Sequence, residues 1–235
     1  MQDEVVKHSR KIYQVMKNSA HTFGERIKEI IIEIFIIVFS VTLSIWLHSW
    51  SEHRHEQKDV SEFLRGLKDD LHNDTRLIEA NKNTITTLDS NFHFLLSVKK
   101  NSIKDRNMDS AISRSFNFEI PVTHSNVGRY EGFKSSGKIG TIENDSLKQD
   151  ILAYYQQTIP DLQAGENYVN SLQLKIIDLA IDRVDEMSVK DFVTTRKMQV
   201  LFMHGAHNFE LNIHAYNKAL EQIKEIIAEI DAEER

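Results

Sequence analysis

Residues 29–50 read EIIIEIFIIVFSVTLSIWLHSW, and this stretch decides how the whole chain is organised. From Ile30 to Leu47 it runs 18 residues with Glu33 as its one formally charged side chain. A helix rising about 1.5 Å per residue carries that run over ~27 Å, close to the ~30 Å thickness of a bilayer's hydrocarbon core. Trp46 and Trp50 stand at its C-terminal end, where indole rings favour the boundary between lipid and water. A cleaved leader fits poorly, because the stretch is too long, begins well inside the chain and is followed by no small-x-small cleavage site. A buried core helix is the remaining alternative. The stretch predicts a transmembrane helix over 29–50, a basic segment over 1–28 and a domain over 51–235.

Turning about 100° per residue places Glu29, Glu33, Ser40, Ser44 and His48 within an arc of about 100°, on an otherwise apolar surface. Ser40 and Ser44 form a small-xxx-small pair, which lets helices approach closely. A carboxyl group in lipid is costly and normally faces protein or water. With one span per chain, the stripe would face another copy or another membrane protein. Glu33 lies only three residues inside the run, so snorkelling toward the headgroups is an equally simple reading.

Composition narrows the class of the rest. Among 235 residues there are 8 Gly, 2 Pro and no Cys, with 27% charged and 40% hydrophobic side chains. Such a chain folds and favours helices. The absence of Cys excludes disulfides, thiolate metal sites and a Cys nucleophile. A net charge of −6 argues against nucleic acid as a partner, which would require a basic face. Lys and Arg number six in 1–28 and four in 51–70, an asymmetry that places the N-terminus in the cytoplasm and the helical domain in the periplasm.

Beyond the span, Val60, Leu64, Leu67, Leu71, Asp74, Ile78, Asn81, Ile85, Leu88, Phe92 and Leu95 alternate by four and three. That is the spacing of a helix packed in a bundle or coiled coil. The polar seam positions Asp74 and Asn81 are of the type that sets register or partner number. No breaker separates this seam from the span, so one helix is expected to carry both. Phe202, Ala206, Phe209, Ile213, Tyr216, Leu220, Ile223, Ile227 and Ile230 repeat the pattern near the C-terminus, and a third amphipathic run lies between Leu162 and Met187 through Val169, Leu172, Ile176, Leu179 and Val184.

An irregular insert over about 113–144 interrupts these runs. An extended piece is expected around Phe116 to Val122, then a short helix over about Ser125 to Ser136. Gly137 would stand in the left-handed region at its end. A helix from Asn144 or Asp145 to Thr158, ended by Pro160, is expected next. The fold class is all-α: a transmembrane helix continuing into a long-helix bundle with coiled-coil-like heptads.

Two blocks are familiar. EIFIIVFSVTLSIWLHSWSE followed by FLRGLKDDLHNDT resembles the start of Bacteroidota membrane proteins of domain-of-unknown-function family 6090. Glu33, Trp50, Glu52, Leu67, Lys68, Asp70 and Leu71 stand where that pattern puts them. GFKSSGKIGTIENDSLKQDILAYY resembles the second block, a turn at Ser136, Gly137 and Lys138 followed by a helix ending in Tyr154 and Tyr155. The likeness runs from about Glu29 to Tyr155, with Ser40 replacing a usual Gly and His48 and Ser49 replacing an Asn-rich helix end. It implies a single-pass protein of the bacterial inner membrane with a helical domain, and no activity.

Motifs for chemistry are sparse. His204, His207, Glu210 and His214 share helical spacing but flank the apolar seam, which suits exposed side chains better than metal ligands. Arg65 and His72 have the spacing of HEPN-class ribonucleases, an Arg followed after four to six residues by His, inside a seam-bearing helix, a pair that chance readily produces. SSGK has neither the spacing nor the preceding strand of a phosphate loop. Neither a cofactor nor an enzymatic reaction is expected. The bilayer and a homo-oligomer or membrane-protein partner are. An interaction or scaffold protein is the leading expectation; an oligomeric pore or effector, or a ligand-sensing helical domain, is the alternative.

Overall fold

A computed structural model of the chain describes residues 6, 7, 9–11, 13, 14, 23–99, 106–116, 119–123, 125–182 and 187–233. Helix α1 spans Phe23–Ser97 without interruption. It is followed by α2 (Arg106–Ser115), α3 (Gly128–Ser135), a 3-10 turn (Lys138–Thr141) and α4 (Asp145–Ala153). A π-helical segment (Tyr154–Thr158), α5 (Ile159–Ile181), α6 (Val189–Val193) and α7 (Arg196–Glu233) complete the order. No strand occurs among the described residues. The fold is all-helical, with one long apolar helix near the N-terminus.

The chain divides into two compact units, Met1–Lys58 and Asp59–Arg235. In the first, none of the most apolar 18-residue window of α1 is buried. Ile31, Phe35, Ile45 and Trp46 each expose 60% or more of their surface. Among the described residues of this unit nothing removes that surface from water, although burying it is the largest favourable term available to such residues.

The second unit encloses the core. All eleven predicted seam positions of α1 from Val60 to Leu95 are buried, Asp74 and Asn81 included. Phe92 meets Phe202 and Phe209 edge-on, with ring centroids 5.1 and 4.9 Å apart. Lys68 pairs with Asp231, and Gln199 Nε2 donates to the Leu95 carbonyl at 3.3 Å. These contacts pair low numbers with high ones, so α7 runs antiparallel to this part of α1. Asn144 reaches Glu233 and Thr158 reaches Gln222, which sets α4 and α5 antiparallel to α7 as well. Three long helices thereby bury apolar stripes that none could bury alone.

Several boundaries depart from the sequence-based expectation. The α7 stripe leans by one residue: Asn212, Ala219 and Ile226 are buried, while Ile213, Leu220 and Ile227 are only half-buried. Every seventh position, Phe209, Tyr216, Ile223 and Ile230, is buried as the heptad requires. Asn212 lies against Gly165, where a side chain on the glycine would collide with the Asn212 amide. A polar residue thus occupies a stripe position that hydropathy alone assigns to its neighbour.

Asn144 does cap α4, its side chain accepting from Leu147 N–H at 3.1 Å, and Gly137 has φ 77°, the left-handed value expected after α3. The short helix itself starts later than expected, at Gly128. Phe116, Glu119, Ile120, Pro121 and Val122 belong to no helix or strand. The expectation that Pro160 ends the next helix is corrected: helical backbone passes through it into α5. Proline lacks the N–H that an α-helix interior uses, and the turn just before it is π-helical, with Ile159 N–H donating to the Tyr154 carbonyl. The wider turn absorbs the irregularity. The third run is also shorter than expected: α5 ends at Ile181, Met187 lies in a bend, and Val184 falls outside the described residues.

Candidate functional sites: a polar line on the span and two buried polar nodes

On α1 the stripe residues form one line. Glu33 is half-buried, and Glu29, Ser40, Ser44 and His48 are exposed. Ser44 Oγ donates to the Ser40 carbonyl at 2.8 Å, and Thr42 Oγ1 to the Val38 carbonyl at 2.8 Å. These hydroxyls satisfy themselves on their own helix. His48 Nε2 lies 3.2 Å from Glu52. Trp46 and Trp50 are exposed at the end of the apolar run, and the Arg54 guanidinium sits 5.0 Å from the Trp50 ring centre.

The first buried node gathers the familiar residues. Leu67 and Leu71 are fully buried, one helical turn apart, and the intervening turn carries Asp70 inward at 5% exposure. Arg129 Nε donates to Asp70 Oδ2 at 2.8 Å and Asn126 Nδ2 to Oδ1 at 3.2 Å. Gly66 makes this possible: a Cβ there would stand 2.7 Å from Arg129 Nε and closer still to the rest of the guanidinium. One turn on, Tyr154 donates its hydroxyl to Asp74 Oδ2 at 2.9 Å. Tyr155 stacks on Tyr130 at 4.4 Å, and Gln156 Nε2 donates to the Tyr130 hydroxyl at 2.6 Å. The π-helical widening brings two successive tyrosines to the same core, since both 154 and 155 are buried.

Electrostatics at this node favour neutral forms. Burial raises the Asp74 carboxyl above its ordinary value, against the lowering effect of the Tyr154 hydrogen bond. Burial, then the Asp74 charge, lifts the Tyr154 phenol far above its usual range, and burial likewise raises Tyr155. These phenols remain donors at neutral pH and are poorly suited to act as bases. Around the node, Lys138 Nζ pairs with Asp59 at 2.8 Å and Ser136 Oγ donates to the Phe133 carbonyl at 2.8 Å.

The second node centres on Glu166, 3% exposed. Its carboxylate accepts from Thr123 N–H at 2.8 Å, Asn81 Nδ2 at 3.1 Å and the Tyr216 hydroxyl at 2.8 Å, and also from the Thr123 hydroxyl. Four donors from three other segments of chain satisfy one buried charge, as such a charge requires. Burial first, and then Glu166, raises the Tyr216 phenol and keeps it a donor. Asp74 and Asn81, read from the sequence as seam polar residues, thus find their partners inside this chain.

The sequence reading missed Arg129, Asn126, Thr123 and Glu166, and gave Tyr216 only as a seam position; their partners lie tens of residues away along the chain. Gly66, in the middle of a helical pattern, was the available signal, because such a glycine usually has a packing reason. His204, His207, Glu210 and His214 are all exposed on α7, as are Arg65 and His72 on α1.

Comparison with curated proteins and with solved structures yields no match to this chain. A family of unknown function, DUF6090, matches residues 33–194. The matched region begins at Glu33, takes in both nodes except Tyr216, and extends past Tyr155 through α5 and α6, farther than the two familiar blocks. Covering well over half of the sequence, the match shows that the chain belongs to the family of unknown function DUF6090.

Proposed function

We propose that the chain is a single-pass membrane-anchored scaffold, a helical assembly module held at the bacterial inner membrane by residues 29–50. The observation that carries this reading is the wholly exposed apolar window of α1, a surface that demands lipid or another apolar cover. The N-terminal segment is cytoplasmic and the helical domain periplasmic, following the Lys and Arg asymmetry. The Glu33 line faces a second copy or a membrane-protein partner, because a carboxyl group in lipid is costly. The protein binds and assembles rather than catalyses. Supporting this, the carboxylates of both nodes are engaged by internal donors.

Particle mass after detergent extraction tests the assembly. Carbonate-washed membranes should retain the full chain, and the extracted particle should be larger than one protomer. Glu33→Leu keeps the apolar span, so insertion should persist while particle mass or partner retention changes. If Glu33→Leu and Ser40→Ile both leave the particle unchanged, the line is not an interface. Release of the chain by carbonate would remove the anchor itself.

A further inference from the structure

Just beyond the apolar run, Trp50, Ser51, Arg54, His55 and Lys58 line an open crevice of about 440 Å³ on one side of α1. At about 100° per residue these five positions fall within an arc of about 140°. The acidic neighbours Glu52 and Glu56 turn to the other side of the helix, Glu52 beside His48. Positive and negative side chains are therefore sorted by face over two turns. Arg54 lies over the Trp50 ring, 5.0 Å from its centre. This contact draws the guanidinium back toward the span, the direction in which helical side chains lean when the chain leaves a membrane from N- to C-terminus.

Depth agrees with chemistry. Trp50 is three residues past Leu47, ~4.5 Å beyond the apolar edge at 1.5 Å per residue, inside the headgroup layer of roughly 5–7 Å. Arg54 reaches back to that level, with Lys58 one turn above. Below Trp50 on the same side lie Leu47, Trp46 and Leu43, at spacings of three, four and seven, and all are exposed. An anionic head between Arg54 and Lys58, with an acyl chain along Leu47 and Leu43, satisfies both halves of this surface.

We infer that this crevice binds the phosphate group of an anionic phospholipid at the membrane surface. The inference rests on the membrane-anchor reading. Arg54 supplies planar donors suited to phosphate oxygens, Lys58 adds a point charge, and His55 and Ser51 add donors on the flank. Trp50 holds Arg54 in place through the cation–π contact and sets the depth of the head.

The test uses the full chain carrying Trp46→Phe, which leaves Trp50 as the one tryptophan of the two in the sequence. It is reconstituted into phosphatidylcholine vesicles containing small fractions of either brominated phosphatidylglycerol or brominated phosphatidylcholine. One basic side chain near an anionic surface is worth roughly fivefold in lipid affinity. Brominated phosphatidylglycerol should therefore quench Trp50 at roughly fivefold or more lower mole fraction than brominated phosphatidylcholine. Arg54→Gln with Lys58→Gln, both exposed positions, should erase that preference while leaving quenching by the neutral lipid intact. Equal quenching by both lipids in the parent, or an unchanged preference in the double variant, overturns the headgroup site while the anchor stands. Quenching by neither lipid overturns the anchor reading instead. Loss of the preference on adding inorganic phosphate, but not chloride at equal ionic strength, would assign the crevice to free phosphate and refute the lipid.

Discussion

The buried Glu166 carboxylate accepts from four donors, and its removal gives a measurable prediction. Glu166→Leu puts an apolar side chain of similar size in place of the carboxylate and leaves Thr123 N–H, the Thr123 and Tyr216 hydroxyls and Asn81 Nδ2 facing it. A buried donor without an acceptor costs about 1–3 kcal/mol. The hydroxyls rotate to other acceptors, and a desolvated carboxylate disappears, so the sum is not reached. The Thr123 N–H and the Asn81 amide, which lack a hydroxyl's freedom to turn, set a net loss of about 3–5 kcal/mol. In a unit of this size each kcal/mol moves the melting temperature by about 2–4 °C, giving a drop of roughly 10 °C. Tyr216→Phe alone removes one hydrogen bond to a charged group and should cost about 1.5–3 kcal/mol. In the Glu166→Leu background the same change should cost nearly nothing, because the tyrosine hydroxyl has already lost its acceptor. Circular dichroism melts of the four detergent-solubilised proteins measure the cycle. Equal cost of Tyr216→Phe in both backgrounds, or a Glu166→Leu loss below ~0.5 kcal/mol, would refute the carboxylate as the tie between these segments.

The core supplies two further expected outcomes. A Cβ on Gly205 would stand 2.6 Å from Phe92 Cδ2 and 2.9 Å from Leu172 Cδ2, so Gly205→Ala should destabilise by about 1–3 kcal/mol through overpacking; unchanged urea unfolding would show that α1 and α5 yield at this crossing. For Asp74, the folded-state pKa is raised, so the folded protein binds more protons than the unfolded one between the ordinary carboxyl value and the raised one, and this group's contribution falls as pH rises through that window. Asp74→Asn retains an acceptor for the Tyr154 hydroxyl and should be at least as stable as the parent at neutral pH, with the difference shrinking as pH is lowered into the carboxyl range. Melting curves across pH check this, and a large loss at neutral pH would mean that the charged form is what Tyr154 holds.

The long helices were readable because burial repeats at a fixed interval along them. Each seam residue of α1 from Val60 to Leu95 is buried, and the breaker-free stretch before it is helical throughout. On α7 the every-seventh residues were right, but Asn212 and Ala219 hide their buried positions behind a polar and a small side chain. Pro160 misled for a local reason: the rule that proline stops a helix presumes α-helical hydrogen bonding, and the turn before it is not α-helical. The polar nodes were largely illegible. A hydrogen bond such as Tyr216 to Glu166 is set by how helices are aligned side by side, and periodicity says which face is inward without saying what it meets there. Asp70 stood out through the resemblance, while its partner Arg129 did not.

The widened turn at Tyr154–Thr158 has a genetic consequence. A π-helical turn is in effect an α-helix that has taken in one extra residue and absorbed it locally. Deleting a single codon there, at Gln157 for instance, would let the segment close into regular α-helix while α4 and α5 keep their alignment, so Glu166 would still meet Asn81 and Tyr216. The same deletion a little farther on, at Gln163 in α5, has no widened turn to close and would rotate Glu166 by about 100° away from its partners. Reading-frame-preserving deletions should consequently be tolerated better within Tyr154–Thr158 than in the regular helix that follows it. The widened turn is therefore the place where this pair of helices can lose a residue without losing the node.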